Sequence, residues 1–521
     1  MTVRDLAKAQ ADHFDASATV CIIGAGMAGL TLAHGLALKG VNVLLLESGG
    51  ERADAEAESL NEIDNVNNRW TGATRSRCRG IGGTSRLWGG RSIPIATTEA
   101  GPRPHLNSDG WPMSLEELSP YTPQVEKLFE LDSSSYEADL FAYEGEADPD
   151  FNIRWAKWPA FAKCNLAATL HTQVIANPGV TIWTNATVTG FDFDAGDGRL
   201  TSVTASHQSG SRIKVSARRF VIAAGTVETT RLMLWMQRQP GHGLGRASQL
   251  GRYFQDHINL RAAKIERHRL RESNELLGYR FVKSTRRSIH LELSPQTQAR
   301  NRVGSAFAYI SMDLEGSALG QAKQIARGIQ NGNIDANDLI GLSKHGGLVA
   351  RSLFWRYIRR RLYVPPSVDL NLEICAEQAP HWDNAITLSD RTDRYGVPLA
   401  RVTWEPKLDD ERTLRVAVDR IKAFWERQGW ERYASLAWLP PVSTNAGSLS
   451  AASVDYYHPS GTTPMGTDVQ RSMVSADLTS HHIANLSVLS ASVFPRAGSA
   501  NPTFTLMRLA LRLAAHLRQD G

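Results

Sequence analysis

Three glycines, Gly24, Gly26 and Gly29, stand in G-x-G-x-x-G spacing, and a carboxylate, Glu47, ends the next apolar run. These residue types in this order suit a dinucleotide. Gly24 permits a tight turn, Gly26 leaves room for a pyrophosphate against bare backbone, and Gly29 lets helix and strand approach closely. Met27 and Ala28 complete the turn into the helix, whose free N–H groups and dipole favour an anion. Glu47, followed by Ser48, is placed to accept hydrogen bonds from ribose hydroxyls. The fingerprint alone does not separate FAD from NAD.

The surrounding pattern supplies the elements that position these groups. Thr19–Ile23 is a short β-branched run, which reads as a buried parallel strand. Leu30, Ala33, His34, Ala37 and Leu38 follow at helical spacing, and Val41–Leu46 is a second strand. Near the C-terminus, Asn501-Pro502 opens a stripe of Leu506, Leu509, Ala510, Leu513, Ala514 and Leu517. Asn is a favoured N-cap and Pro suits the first helical position, so a helix is expected to begin there. Its N-terminus would stabilise nearby negative charge by ~0.3–2 kcal/mol. A second helical segment is expected after Ser114, with Glu117 completing a capping box.

Composition bounds the class. The chain has 521 residues, of which 42% are hydrophobic and 21% charged, as in globular proteins of several domains. The net charge of +5 is spread out, without the basic, aromatic-laced face that a nucleic-acid site needs. One dense run, RSLFWRYIRRRLY at 351–363, reads as a solvated helix face or a rim against another subunit. The sharper alternative is docking on a membrane surface or an acidic partner. Cys21, Cys78, Cys164 and Cys375 form no C-x-x-C pair, so neither a disulfide framework nor a thiolate metal site is expected. The N-terminal stretch lacks an apolar core and no run is long enough to span a bilayer, so a cytoplasmic location is expected.

Four segments together resemble the glucose–methanol–choline (GMC) family of FAD oxidoreductases. They are the glycine unit, RGIGGTSRLWGGR (Arg79–Arg91), VIAAGTVETTRLML (Val221–Leu234), and the C-terminal HPSGTTPMG (His458–Gly466) with NLSVLSASVFPRAGSANPTFTLMRLALRLAAH (Asn485–His516). The likeness is collinear from about residue 18 to 516 and looser in the middle third. Within the family the pairing of a His in H-P-x-G-T with an Asn before Pro looks like the pyranose oxidase and bacterial glycoside oxidoreductase branch. GWPMSLEELSPY and the EQAP run add to that likeness.

The resemblance implies an α/β fold in which a Rossmann-like FAD domain (16–100, 170–260 and 453–521) interleaves with a substrate domain (101–169 and 261–452) built on an antiparallel sheet with helices. It places Arg79, Gly82, Gly83, Thr84, Ser85, Trp88, Gly89 and Gly90 along the flavin, with Ala224 and Gly225 closing over the nucleotide. Val188 would contact adenine, and Ser492, Asn501, Pro502 and Thr503 would complete the site. Some pyranose oxidases attach FAD through a His just before the Trp of this stretch. Leu87 stands there, ahead of Trp88, so non-covalent FAD is expected.

The resemblance makes His458 the base that takes a hydroxyl proton, a task suited to a group that titrates near neutrality, and Asn501 its orienting partner. The implied reaction is oxidation of a secondary hydroxyl at C2 or C3 of a sugar or glycoside, with oxygen or another acceptor regenerating the flavin. Glu377, Gln378, His381 and Trp382 are candidate substrate contacts, since amides, carboxylates and aromatics suit a sugar. A sterol or small alcohol as substrate, a lyase beside structural FAD, and an electron-passing subunit stay open. Residues 315–350, rich in Gly and Asn, read as an inserted lid or oligomer contact.

Overall fold

The computed structural model describes residues 3–9, 12–137, 148–245, 248–317, 319–321, 324 and 346–519. Most of the 315–350 segment lies outside the described residues, and so does its reading as a lid or oligomer contact.

The glycine unit folds as strand β1 (His13–Ile23), helix α1 (Met27–Ala37) and strand β2 (Val43–Leu46). β1 and β2 pair in parallel, and both apolar runs are buried on two faces, which is why neither alternates. β3 (Val180–Thr184) extends the sheet beyond β2, while β4 (Arg212–Ile222) pairs with β1 along its length. A hairpin of Thr187–Phe193 and Leu200–Ser206 continues from β4. Leu486–Val488 also joins β4 in parallel, so the C-terminal stretch enters the sheet begun by the N-terminal one. Helix α2 (Gly225–Met236) starts just past the end of β4.

A second sheet is antiparallel throughout. β5 (Ile258–Arg267), β6 (Thr285–Leu293), β7 (Ala306–Asp313) and β8 (Asp369–Ala376) run in the order β6-β7-β8-β5. Phe151–Trp158 pairs with β6, and Ala434–Trp438 and Val454–Asp455 pair with β5. Helix α3 (Leu408–Arg427) buries Leu414, Ala417, Val418, Ile421, Phe424 and Trp425 against this sheet, an apolar stripe at helical spacing. The described residues thus form two apolar cores, one under each of these two sheets.

The last helix, α4 (Pro502–Gln519), lies on the first core. Of its predicted stripe, Leu509, Ala510, Leu513, Ala514 and Leu517 are buried and Leu506 is half-buried. It crosses α1 so tightly that a Cβ on Gly35 would fall 2.7 Å from Ala514 Cβ. The basic run lies on a helix (Gly346–Phe354) and the turn after it (Trp355–Arg359). That surface is not purely polar, since Leu353, Phe354, Tyr357 and Ile358 are exposed among its arginines. Among the described residues no helix is long and apolar enough to cross a membrane.

α1 can lie against β1 only because residue 29 lacks a side chain: a Cβ there would sit 2.0 Å from the Gly24 carbonyl oxygen. Overpacking of this kind costs about 1–3 kcal/mol. Gly29→Ala is therefore expected to lower the urea midpoint of unfolding by that amount of stability. An unchanged midpoint would show that helix and strand have room to spare.

Candidate active site

A cavity of about 520 Å³ opens at the C-terminal ends of β1, β2 and β4, where ligands of such sheets bind. Gly24, Gly26, Met27, Ala28, Glu47, Ser48 and Arg79 line one part of it, with Val188, Ala224 and Gly225 nearby. Gly83, Thr84, Trp88, Gly89 and Gly90 line another, facing Asn501, Pro502, Thr503 and His458. The structure therefore brings together most of the residues that the sequence nominated from six distant segments.

The cradle fits a dinucleotide. No side chain caps the N-terminus of α1, and a Cβ at Gly26 would meet nothing within 4 Å. An anion can thus reach bare backbone at the helix end. Glu47 is buried and organises the loops beneath. Its carboxylate accepts from Ala25 N at 2.8 Å, Gly49 N at 3.0 Å and Gly80 N at 2.9 Å. Arg79 donates to Ser48 Oγ at 2.8 Å and pairs with Glu228 at 3.1 Å. Arg79, Arg231 and Arg77 together hold Glu228 down at about 2 despite its burial.

Four nominated residues lie behind the cavity wall instead. Gly29 packs α1 on β1. Gly82, at φ 96°, makes the turn that Ser85 braces by donating from Oγ to Gly82 O at 2.7 Å. Ser492 is fully buried and accepts from Thr463 Oγ1 at 2.6 Å.

The two residues nominated for catalysis are joined directly: Asn501 Nδ2 lies 3.0 Å from His458 Nε2. Asn501 precedes the first residue of α4, as expected, but its side chain does not cap the helix. Its Oδ1 has no partner and its amide nitrogen faces His458. On the other side of His458, Nδ1 lies 2.8 Å from Nδ1 of His257, a fully buried ring with no counterpart among the nominated residues. His257 Nε2 is 2.7 Å from Gly498 O.

These contacts fix the protons. A carbonyl only accepts, so His257 carries its proton on Nε2 and leaves Nδ1 bare. His458 must then donate from Nδ1, which leaves its Nε2 lone pair toward Asn501 and the cavity. Burial, then the neighbouring His257 and Arg91, hold His458 well below the ordinary 6.5, and burial brings His257 down to about 4. Both rings are thus neutral at pH 7. Asp256 fixes the His458 backbone by accepting its N–H at 2.8 Å, while Trp70 Nε1 donates to its other oxygen at 2.8 Å. Burial, reinforced by Asp455, raises Asp256 to about 8.

The four nominated substrate residues do not line this cavity. Glu377 is consumed by Arg103 at 2.6 Å and Arg496 at 3.1 Å. Gln378 accepts from Asp256 N at 3.0 Å and Trp404 Nε1 at 2.7 Å, so it braces the joint between the sheets. His381 pairs with Asp383 at 3.6 Å, and Trp382 is 39% exposed beneath Arg252. Arg91 and Tyr456 are among the polar side chains that do line the cavity with His458. Arg91 lay within a quoted motif without a role, and His257 had only its place before β5 as a signal.

Two family models described as GMC oxidoreductase match residues 153–259 and 380–510, and an NAD(P)-binding Rossmann-like model matches 22–52. The chain is 24% identical to a 2-methyl-1,2-propanediol dehydrogenase of Mycolicibacterium austroafricanum, over 78% of this chain and 74% of that one. It is 22% identical to a 6'''-hydroxyparomomycin C oxidase of Streptomyces lividus, over 96% and 92%. The crystal structure of a pyridoxine 4-oxidase from Mesorbium loti shares the fold, with a TM-score of 0.58 at 16% identity, covering 96% of this chain and 99% of that one. With the cradle, the His–Asn pair and both family halves in place, the chain is a GMC-type oxidoreductase acting on CH–OH groups.

Proposed function

We propose that this protein oxidises a secondary hydroxyl of a sugar or glycoside, at C2 or C3, to a ketone, with non-covalently held FAD and with His458 as the base. The observation that carries the reading is the hydrogen-bonded series Gly498 O, His257, His458, Asn501, which turns a bare imidazole nitrogen toward the cavity. Bound FAD supplies the hydride acceptor, and oxygen or another acceptor restores it. The substrate hydroxyl inserts between His458 and Asn501. Its O–H donates to Nε2, and its oxygen accepts from Asn501 Nδ2. That fixes the carbon's hydrogen in one direction. The aminoglycoside named for one relative supports a glycoside substrate, and the diol named for another supports a small vicinal diol as the second reading. Leu87 offers no nucleophile to the cofactor, so acid precipitation of the holoenzyme is expected to leave the flavin in the supernatant; flavin in the pellet would mark a covalent bond.

Anaerobic mixing with a panel of glycosides and diols, followed at the flavin's visible band, tests the function. One class of substrate should bleach the band, and His458→Ala should slow bleaching by about 10²–10⁴-fold, the usual worth of a general base, while retaining flavin. Wild-type bleaching in that variant would remove His458 from the chemistry.

The pH dependence follows from the neutral rings. The base is active when deprotonated, and its folded value lies below 6.5, so bleaching should be flat from neutral pH upward and fall only in acid. His257→Leu deletes the acceptor for His458 Nδ1–H and one of the neighbours that hold His458 low. The plateau rate should drop about tenfold, roughly one hydrogen bond of ~1.4 kcal/mol, and the acid limb should move to higher pH. A lower rate with an unmoved acid limb would mean that His257 serves packing alone.

A further inference from the structure

The cavity holds a cation that the redox step does not use. Arg91 follows the Gly89-Gly90 turn, lines the cavity and is 6% exposed. Its guanidinium lies 4.5 Å from the Tyr309 ring centre and 4.8 Å from that of Phe307. Its one hydrogen bond runs from Nη2 to His290 Nδ1 at 3.2 Å, and Nε has no partner. Among the described residues no carboxylate comes within ion-pair distance of it.

Three other buried guanidiniums of this protein meet a carboxylate, whereas Arg508, which lines no part of the cavity, meets the Leu115 carbonyl at 3.0 Å. Arg103 meets Glu377 at 2.6 Å, Arg154 meets Glu292 at 2.9 Å, and Arg231 meets Asp393 at 2.6 Å. His290 is no substitute for a countercharge. Burial, then Arg91 and Arg154, push it well below 6.5, so it is neutral. Glu373, the strand partner of Tyr309, is otherwise engaged: it accepts from Asn259, Arg261 and Ser311. A buried cation without a countercharge is unfavourable. A cavity that keeps one open is built for an anion that arrives from outside.

The place of Arg91 says which anion. Tyr309 packs on Tyr456 at 5.9 Å, and Tyr456 packs on His458 at 5.1 Å. The guanidinium thus stands two aromatic rings from the base, and its charge is felt there. Both residues line one cavity, so one bound molecule can offer a hydroxyl to the base and an anion to the guanidinium. We propose that Arg91 is a carboxylate subsite and that the substrate is a hydroxyl-bearing acid, of the uronate or uronide class. Resting on the reading of His458 as base, this adds the substrate's charge to that reading. Guanidinium and carboxylate match in shape as well as in charge.

The test uses the oxidised holoenzyme. Acetate is titrated in at constant ionic strength, with chloride as the balancing anion, while the visible flavin spectrum is followed. A saturable perturbation is expected that survives in His458→Ala and is lost in both Arg91→Met and Arg91→Gln. No saturable change, or the same change in both Arg91 variants, overturns the proposal. Anaerobic bleaching then compares methyl glucuronide with methyl glucoside. The ratio of their kcat/KM values should favour the glucuronide and fall at least tenfold in Arg91→Gln. A preference for the glucoside in wild type overturns the acidic substrate while leaving His458 as base. Undiminished bleaching in His458→Ala sinks the base instead and leaves the acetate titration standing.

Discussion

A carbonyl oxygen can accept a hydrogen bond but never donate one, and at Gly498 that asymmetry sets the protons on two histidines. Gly498 is held where it must be. Its φ is 63°, and a Cβ there would lie 2.9 Å from the Glu99 carboxylate. Glu99 in turn accepts from Ser499 N at 3.0 Å and Ser499 Oγ at 2.8 Å. The loop before α4 is thereby fixed to a segment some four hundred residues earlier in the chain. Reversing either imidazole would set two N–H groups, or two lone pairs, face to face. Burial makes such a mismatch expensive, so one tautomer survives.

The same burial explains why the surrounding polar groups come in closed sets. Arg103, Glu377 and Arg496 tie the region after the flavin loop to the end of β8 and to the approach of α4. Arg77, Arg79 and Arg231 converge on Glu228 at the start of α2. Removing one member of a buried set leaves an uncompensated charge and costs about 3–5 kcal/mol. These sets therefore pin segments far apart in the chain to one another, and the Glu228 set lines the cavity itself. Arg91, among the described residues, has no carboxylate at ion-pair distance.

The first strand, the glycines and Glu47 were legible because their pattern is local. A turn, a helix end and a strand end lie within a few residues of one another and need no knowledge of the rest of the chain. His458 and Asn501 were legible only through resemblance, since nothing local brings them to 3.0 Å. His257 was hidden for the same reason. A histidine before an apolar strand looks like any other until Gly498 and His458 arrive on either side. Glu377 and Gln378 misled because a sugar site and a domain joint call for the same residue types. Composition cannot tell a carboxylate that awaits a hydroxyl from one already held by two arginines. The stripe of α4 read correctly, whereas the cap did not, because Asn501 has a stronger claim on its amide at the base than at the helix end.

The contact between α1 and α4 joins the two halves of the chemistry. α1 begins at the dinucleotide cradle and α4 begins beside Asn501, and Gly35 lets them cross almost at backbone distance against Ala514. A closely packed helix pair sets the spacing between the glycine cradle and the His458–Asn501 pair. α2, which opens at Gly225, lines the same cavity. Three helix N-termini thus meet one space, each with the positive end of its dipole toward it. Arg79 and Arg91 add cations to the same lining, and no acid neutralises the second. The field they make suits an anionic dinucleotide along the length of the cavity, and at its catalytic end it suits whatever negative charge the reaction brings or creates.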